Sequence, residues 1–228
     1  MHVTYDVTLS EVIRDCSDTQ SGDVILDFDS LNDVISLDCY EHWNVIFKHH
    51  ADADGFGQNW TTMRDGFDRN VPYGGHNNQR QSNEYWIGNE ALHQLTSRYD
   101  SYILRIDMWT DEQTYEYAEF DGFRVASEND AYALTLTDYH AGSAGPGGMV
   151  TYHSGKPFAT ADRDNDRNCS YNEGVAWWFM NDDVRVIDIS HMTPEGTSTS
   201  YIGLVLPTKH KDELRWYETV LDHLSSSI

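Results

Sequence analysis

Basic residues are scarce in this chain of 228 residues, with 15 Lys+Arg against 38 Asp+Glu and a formal net charge of -23. A field of that sign repels phosphate backbones and anionic headgroups, so nucleic acid and membrane surfaces are excluded as partners, whereas cations are attracted. Long apolar runs are missing too: nothing approaches the roughly 20 residues of a membrane span. The opening Met1-His2-Val3-Thr4-Tyr5-Asp6 has neither the basic nor the apolar part of a secretion signal. The expectation from that opening is an intracellular chain, or one whose signal lies outside this sequence. Cysteine is sparse. Cys16, Cys39 and Cys169 permit at most one internal bridge and leave a thiol over.

Catalytic spacings are equally thin. His-Glu-x-x-His, Gly-x-Ser-x-Gly and Cys-x-x-Cys do not occur, although there are 11 histidines. His49 and His50 are neighbours and would point apart on a strand. His210 lies between Lys209 and Lys211, two cations that oppose a bound metal. No carboxylate pair is singled out for glycoside hydrolysis. An enzyme is not expected.

What is present is a folded, strand-rich pattern. Hydrophobic residues at 39% and aromatics at 13% suit a globular core. Short strands are predicted at Val24 to Phe28, Val34 to Leu37 and Trp43 to Lys48, after a helix opening near Thr8 to Ile13. Residues 49–85 are polar and turn-rich, interrupted by a helical turn at Asn59 to Asp65. Asn89 to Thr96 reads as the clearest helix, with Asn89 as its cap and Leu92 and Leu95 on one face. Tyr102 to Met108 alternates, setting Arg105 and Asp107 opposite Leu104 and Ile106. Tyr115 to Phe120, Phe123 to Val125 and Ala131 to Leu136 continue an antiparallel meander. Residues 141–148 read as flexible loop, and the last strands as Val184 to Ile189, Tyr201 to Leu206 and Leu214 to Leu221. The fold class is α+β, without internal repeats or heptads.

The stretch from Asp162 to Trp178 carries the chemistry. Asp162, Asp164 and Asp166 alternate, offering hard oxygen ligands on one side of a turning loop, as calcium requires. The competing reading is a solvated acidic turn balanced by Arg163 and Arg167. Trp177 and Trp178 are large apolar bodies that wall a pocket or fill a core. Two sequons, Asn59-Trp60-Thr61 and Asn168-Cys169-Ser170, matter only in a secreted protein.

Several motifs occur in one characteristic order. They are Glu84-Tyr85-Trp86-Ile87-Gly88-Asn89-Glu90, Leu104-Arg105-Ile106-Asp107-Met108, Tyr117-Ala118-Glu119-Phe120-Asp121-Gly122-Phe123-Arg124-Val125 and His153-Ser154-Gly155-Lys156-Pro157-Phe158. The acids from Asp162 to Asp166 and Ala176-Trp177-Trp178 follow. From about Arg14 to Trp178 the chain resembles the fibrinogen C-terminal (fibrinogen-related) domain. The resemblance implies one domain over 14–228, with an N-terminal subdomain at 14–50, a central one at 51–150 and a divergent C-terminal ligand and calcium subdomain at 151–228. It implies a secreted recognition module and pairs Cys16 with Cys39. It places calcium at Asp162, Asp164 and Asp166. The implied ligand pocket comprises Asn168, Cys169, Tyr171, Ala176, Trp177, Asp183 and Tyr201, with Asn168-Cys169 as a peptide that is often cis in acetyl-binding members.

The expected partner is a glycan or cell-surface glycoprotein, as in innate-immune members. The alternative is a protein receptor or matrix partner, as in the angiopoietin and tenascin branches. Multivalency, if present, would come from a homo-oligomer or from other segments. Departures from the pattern bear on the site. Asp182 stands where the partner of Cys169 belongs, Asp183 where a histidine belongs, and Ile202 where an alanine belongs. Only Arg167 and Asn168 separate the last acid from Cys169, so the carbonyl half of the calcium loop is short. An acidic rim suits a cationic or hydroxyl-rich ligand.

Overall fold

β-Branched and aromatic runs separated by polar turns produce a largely antiparallel architecture. The computed structural model describes residues 15–16, 21–27, 34–50, 56–67, 84–110, 114–146, 153–163, 176–179 and 199–208. The expected helix at Thr8 to Ile13 and the strands at Val184 to Ile189 and Leu214 to Leu221 lie outside the described residues.

The elements in order are β1 (Ser21–Asp27), β2 (Val34–Tyr40), β3 (Trp43–His50), α1 (Trp60–Asp65), β4 (Tyr85–Trp86), α2 (Asn89–Thr96), β5 (Tyr102–Thr110), β6 (Tyr115–Asp121), β7 (Arg124–Val125), β8 (Leu134–Thr135), β9 (Asp138–Gly142) and β10 (Thr199–Pro207). Among the described residues one sheet has the order β1-β2-β3-β10-β5-β6-β9, with β4 also on β3, while β7 and β8 form a separate pair. Every pairing is antiparallel. The sheet thus draws strands from each of the three sequence segments.

β10 occupies the middle of the sheet, with Tyr201 opposite His49 on one side and Met108 on the other. Its register on β3 shifts between Gly203 and Leu204. A side chain at Gly203 would run into the Phe47 ring, so the bulge and the missing Cβ together admit that ring. The β2–β3 hairpin closes with Tyr40 opposite Trp43, and its two turn residues, Glu41 and His42, have φ of 47° and 70°. That left-handed pair is the geometry a two-residue hairpin favours, occupied here by residues with side chains.

The alternation expected along β5 holds. Leu104, Ile106 and Met108 are buried with Phe120 and Ala118 opposite, and Arg105 and Asp107 share the other face. There Arg105 donates to Asp107 at 2.7 Å, to the Tyr115 hydroxyl at 2.6 Å and to Glu119 at 3.5 Å, and its guanidinium lies 4.5 Å over the Tyr117 ring. Burial works against the Arg105 charge, but Asp107 beside it more than restores it. Burial also pushes the Asp107 carboxyl up, and Arg105 only partly offsets this.

Three local expectations are corrected. Asn89 is the first helical residue of α2 and is buried; the cap position is Gly88, at φ 104°. The backbone of residues 64–66 at the end of α1 leaves no room for a Cβ at Gly88, so helix-to-helix contact overrides the capping preference of asparagine. The strand expected at Ala131 to Leu136 shrinks to Leu134–Thr135, because Glu128–Asp130 forms a 3-10 turn and Ala131 and Tyr132 follow at φ 50° and 49°. Ala141 and Gly142 are not loop but the end of β9, opposite Glu119 and Ala118 of β6.

The disulfide Cys16–Cys39 forms, with both residues buried and Cα atoms 5.5 Å apart. The Cys16 N–H donates to Asn44 Oδ1 at 3.0 Å, and Asn44 Nδ2 donates to the Val205 carbonyl at 2.9 Å, so the bridge is joined to the centre of the sheet.

Candidate functional site

The acidic stretch begins against the start of α1. Asn59 caps that helix, its Oδ1 accepting the Thr62 N–H at 3.0 Å. The next N–H, of Trp60, is unsatisfied within the helix, as first-turn amides are, and Asp162 Oδ1 accepts it at 2.9 Å. The Thr160 hydroxyl donates to the same oxygen at 2.8 Å. The slight burial of Asp162 raises its carboxyl, but the bonds from Thr160 and Trp60 outweigh this and hold it below the usual carboxylate range.

A second contact fixes the same turn. Arg163 lies with its guanidinium carbon 3.9 Å over the Trp60 ring and donates to Glu128 Oε1 at 3.2 Å. The Trp60 indole N–H donates to that same oxygen at 2.7 Å. Thr160 and Arg163 exchange backbone hydrogen bonds at 3.2 and 3.1 Å. Trp60 stacks on buried Tyr132, whose hydroxyl donates to Glu90 at 2.8 Å. Burial and then Glu90 push the Tyr132 phenol up, so it stays protonated.

The other end of the stretch is held nearby. Trp177 and Ala159 exchange backbone bonds at 3.0 and 3.1 Å, and the Ala176 N–H donates to the Phe56 carbonyl at 2.7 Å. The short segment 159–163 therefore holds Trp177 through Ala159 and is tied to Trp60 through Asp162. Trp177 is buried, edge-on to Phe47 at 6.0 Å and to Trp178 at 5.0 Å. Its indole N–H finds no acceptor among the described residues. Trp178 is core: its indole donates to the Tyr132 carbonyl at 2.7 Å, and its backbone carbonyl accepts from His153 Nδ1 at 2.8 Å.

Of the residues expected in the site, the structure describes the side chains of Asp162, Ala176 and Trp177, with Trp177 paired through its backbone to Ala159, three residues before Asp162. Ala176 and Trp177 are both buried. Asp164, Asp166, Asn168, Cys169, Tyr171 and Asp183 lie outside the described residues, and for Tyr201 only the backbone, in β10, is described. Among the described residues no three His, Cys, Asp or Glu side chains gather as a metal site. Asp162 Oδ1 is engaged by two donors, so this residue anchors the start of the loop.

Sequence reasoning missed Trp60, Glu128, Phe56 and Tyr132. Trp60 sits inside a sequon, where the pattern drew attention to its neighbours. Glu128 had no signal, because its role depends on a contact across 35 positions of chain with Arg163.

Comparison with known proteins bears on the family and the fold. The fibrinogen gamma chain of Petromyzon marinus is 32% identical over 152 residues, covering 60% of this chain and 33% of that protein. The chain thus spans about a third of that relative's length. Among solved structures, the fibrinogen-like globe domain of human ANGPTL6 is 26% identical with a TM-score of 0.65, covering 85% of this chain and 95% of that one. A lamprey fibrin D-dimer bound to the peptide Gly-His-Arg-Pro-amide shares the fold at 23% identity and a TM-score of 0.65, covering 90% of this chain and 78% of that one. The family match extends well past Trp178, where the recognised motifs end, and with residues 14–217 matched the chain belongs to the family of fibrinogen beta and gamma chains, C-terminal globular domain.

Proposed function

We propose that this domain is a secreted, non-enzymatic recognition module, which captures a hydroxyl-rich or acetylated glycan with the help of calcium at the stretch 162–178. The observation that carries this reading is the double anchoring of the stretch. Asp162 is tied to Trp60, and Ala176-Trp177 to Phe56 and Ala159. A recognition loop whose two ends are fixed on rigid elements loses less freedom when it binds. Asp164 and Asp166 would supply carboxylate oxygens to calcium, with Asp162 orienting the loop. Calcium there would neutralise the acids and offer open positions to sugar hydroxyls. Trp177 forms an apolar wall, and Asn168, Cys169, Tyr171, Asp183 and Tyr201 complete the candidate rim. An oxidising compartment fits the Cys16–Cys39 disulfide.

A second reading has its own support. The formal charge of -23 favours a basic protein segment, and the lamprey D-dimer of the same fold holds an arginine-containing peptide. Binding then needs no calcium and follows ionic strength.

One experiment separates them. Glycan-array binding that a chelator abolishes supports the first reading. Chelator-independent, salt-sensitive binding of a basic peptide or a single protein supports the second. Asp164→Ala is expected to lower both the stability gained from calcium and glycan binding; no change in either removes calcium from the site.

A further inference from the structure

We propose that Asn59 is an N-glycosylation site and that its glycan stands beside the anchored start of the acidic loop. The inference rests on the extracellular reading above. Asn59-Trp60-Thr61 has the acceptor spacing, and the fold presents it as an acceptor must be presented. Asn59 and Thr61 are both exposed, while the residue between them turns inward, Trp60 being buried under Arg163 and against Tyr132. The sequon therefore shows its two reactive positions to solvent and hides its bulky middle one.

The side-chain chemistry is compatible with modification. Asn59 Oδ1 is occupied by the Thr62 N–H at 3.0 Å, whereas Nδ2 makes no hydrogen bond among the described residues. In the transfer, Nδ2 attacks C1 of the first sugar of an oligosaccharide carried on a polyprenyl pyrophosphate. The C1–N bond forms, the C1–O bond to the pyrophosphate breaks, and one amide proton is released. Nothing is oxidised or reduced. The product is a secondary amide that keeps its carbonyl oxygen, so the helix cap survives glycosylation. A bulky, hydrated chain on Nδ2 extends into solvent, as such modifications do.

Position gives the glycan a consequence. The residue after Asn59 donates its N–H to Asp162, so the sugar chain emerges one residue from the anchor of the proposed ligand loop. It would screen one side of that loop and narrow the directions from which a large partner approaches.

The test is secretion of the full chain, behind a signal peptide, from a eukaryotic host. N-glycosidase F treatment in oxygen-18 water, followed by peptide mass spectrometry, reads the occupancy of Asn59 as a labelled aspartate. Labelling at position 59 is expected, with one gel-mobility step lost in both Asn59→Asp and Thr61→Ala. Asn59→Asp retains a strong capping residue, so it separates loss of the glycan from loss of the helix start. Secreted wild-type protein with unlabelled Asn59, or migration of both variants with the wild type before N-glycosidase F treatment, overturns the inference and leaves the extracellular reading intact. Retention in the cytosol with Cys16 and Cys39 reduced overturns both.

Discussion

The backbone N–H of Trp60 donates to the carboxylate of Asp162 across 102 positions of chain, at 2.9 Å. That bond couples the first turn of α1 to the first acid of the proposed ligand loop.

Asp162→Ala is expected to cost about 1 kcal/mol, the usual net worth of an exposed hydrogen-bonded pair, and to weaken ligand capture by more than this loss of stability accounts for. Denaturant melts beside binding isotherms measure the two. The pH dependence has a definite sign. The folded Asp162 carboxyl lies below its ordinary value, so its contribution is present above the unfolded value, about 4, and is lost as pH falls through the lower folded value. Protection of the Trp60 amide from exchange should persist at pH 4 and fade below it.

Arg105→Met should be among the most damaging single substitutions, at about 3–5 kcal/mol, because it leaves the buried Asp107 carboxylate without its cation. Adding Asp107→Leu should recover a large part of that loss. Chemical denaturation of the two variants gives the comparison, and a double variant no better than the single one would count against this account.

Replacing Glu41-His42 by Asn-Gly should stabilise the protein by about 1–2 kcal/mol, since both residues hold positive φ and each left-handed side-chain residue costs about 1 kcal/mol. The thermal midpoint reports it directly.

Gly203→Ala should destabilise by about 1–3 kcal/mol, the cost of overpacking, because the new methyl meets the Phe47 ring. Phe47 also packs on Trp177, so the same substitution should alter tryptophan fluorescence near the proposed site. An unchanged melt and spectrum would mean that the β10 bulge yields freely.

The sequence made some features legible and hid others for physical reasons. Strands such as β3 and β5 were readable because alternation and β-branched content are local properties. Cys16 and Cys39 were readable through the resemblance. The place of β10 between β3 and β5 was not, since pairing partners across most of the chain leave no trace in a short window. Asn89 misled because its capping preference is local, whereas the close approach of α1 to Gly88 is tertiary. The spacing of Asp162 marks it as an oxygen ligand, whereas the bond from the Trp60 N–H to its carboxylate is tertiary and leaves no local signal. Ala176 and Trp177 are both buried, Ala176 bonded to the Phe56 carbonyl and Trp177 to Ala159 and against the Phe47 ring, contacts that no short window of sequence shows.

The central place of β10 also sets a timetable. Asn44 waits for Val205, 161 residues later, to accept its amide. Until the ribosome has delivered that strand, β3 and β5 each have an unmatched edge, the kind of surface that invites mispairing. Non-local closure of this sort is slow. The nascent domain therefore has a long vulnerable interval, in which a chaperone-rich compartment and prompt closure of the Cys16–Cys39 loop would matter more than the equilibrium stability of the finished sheet.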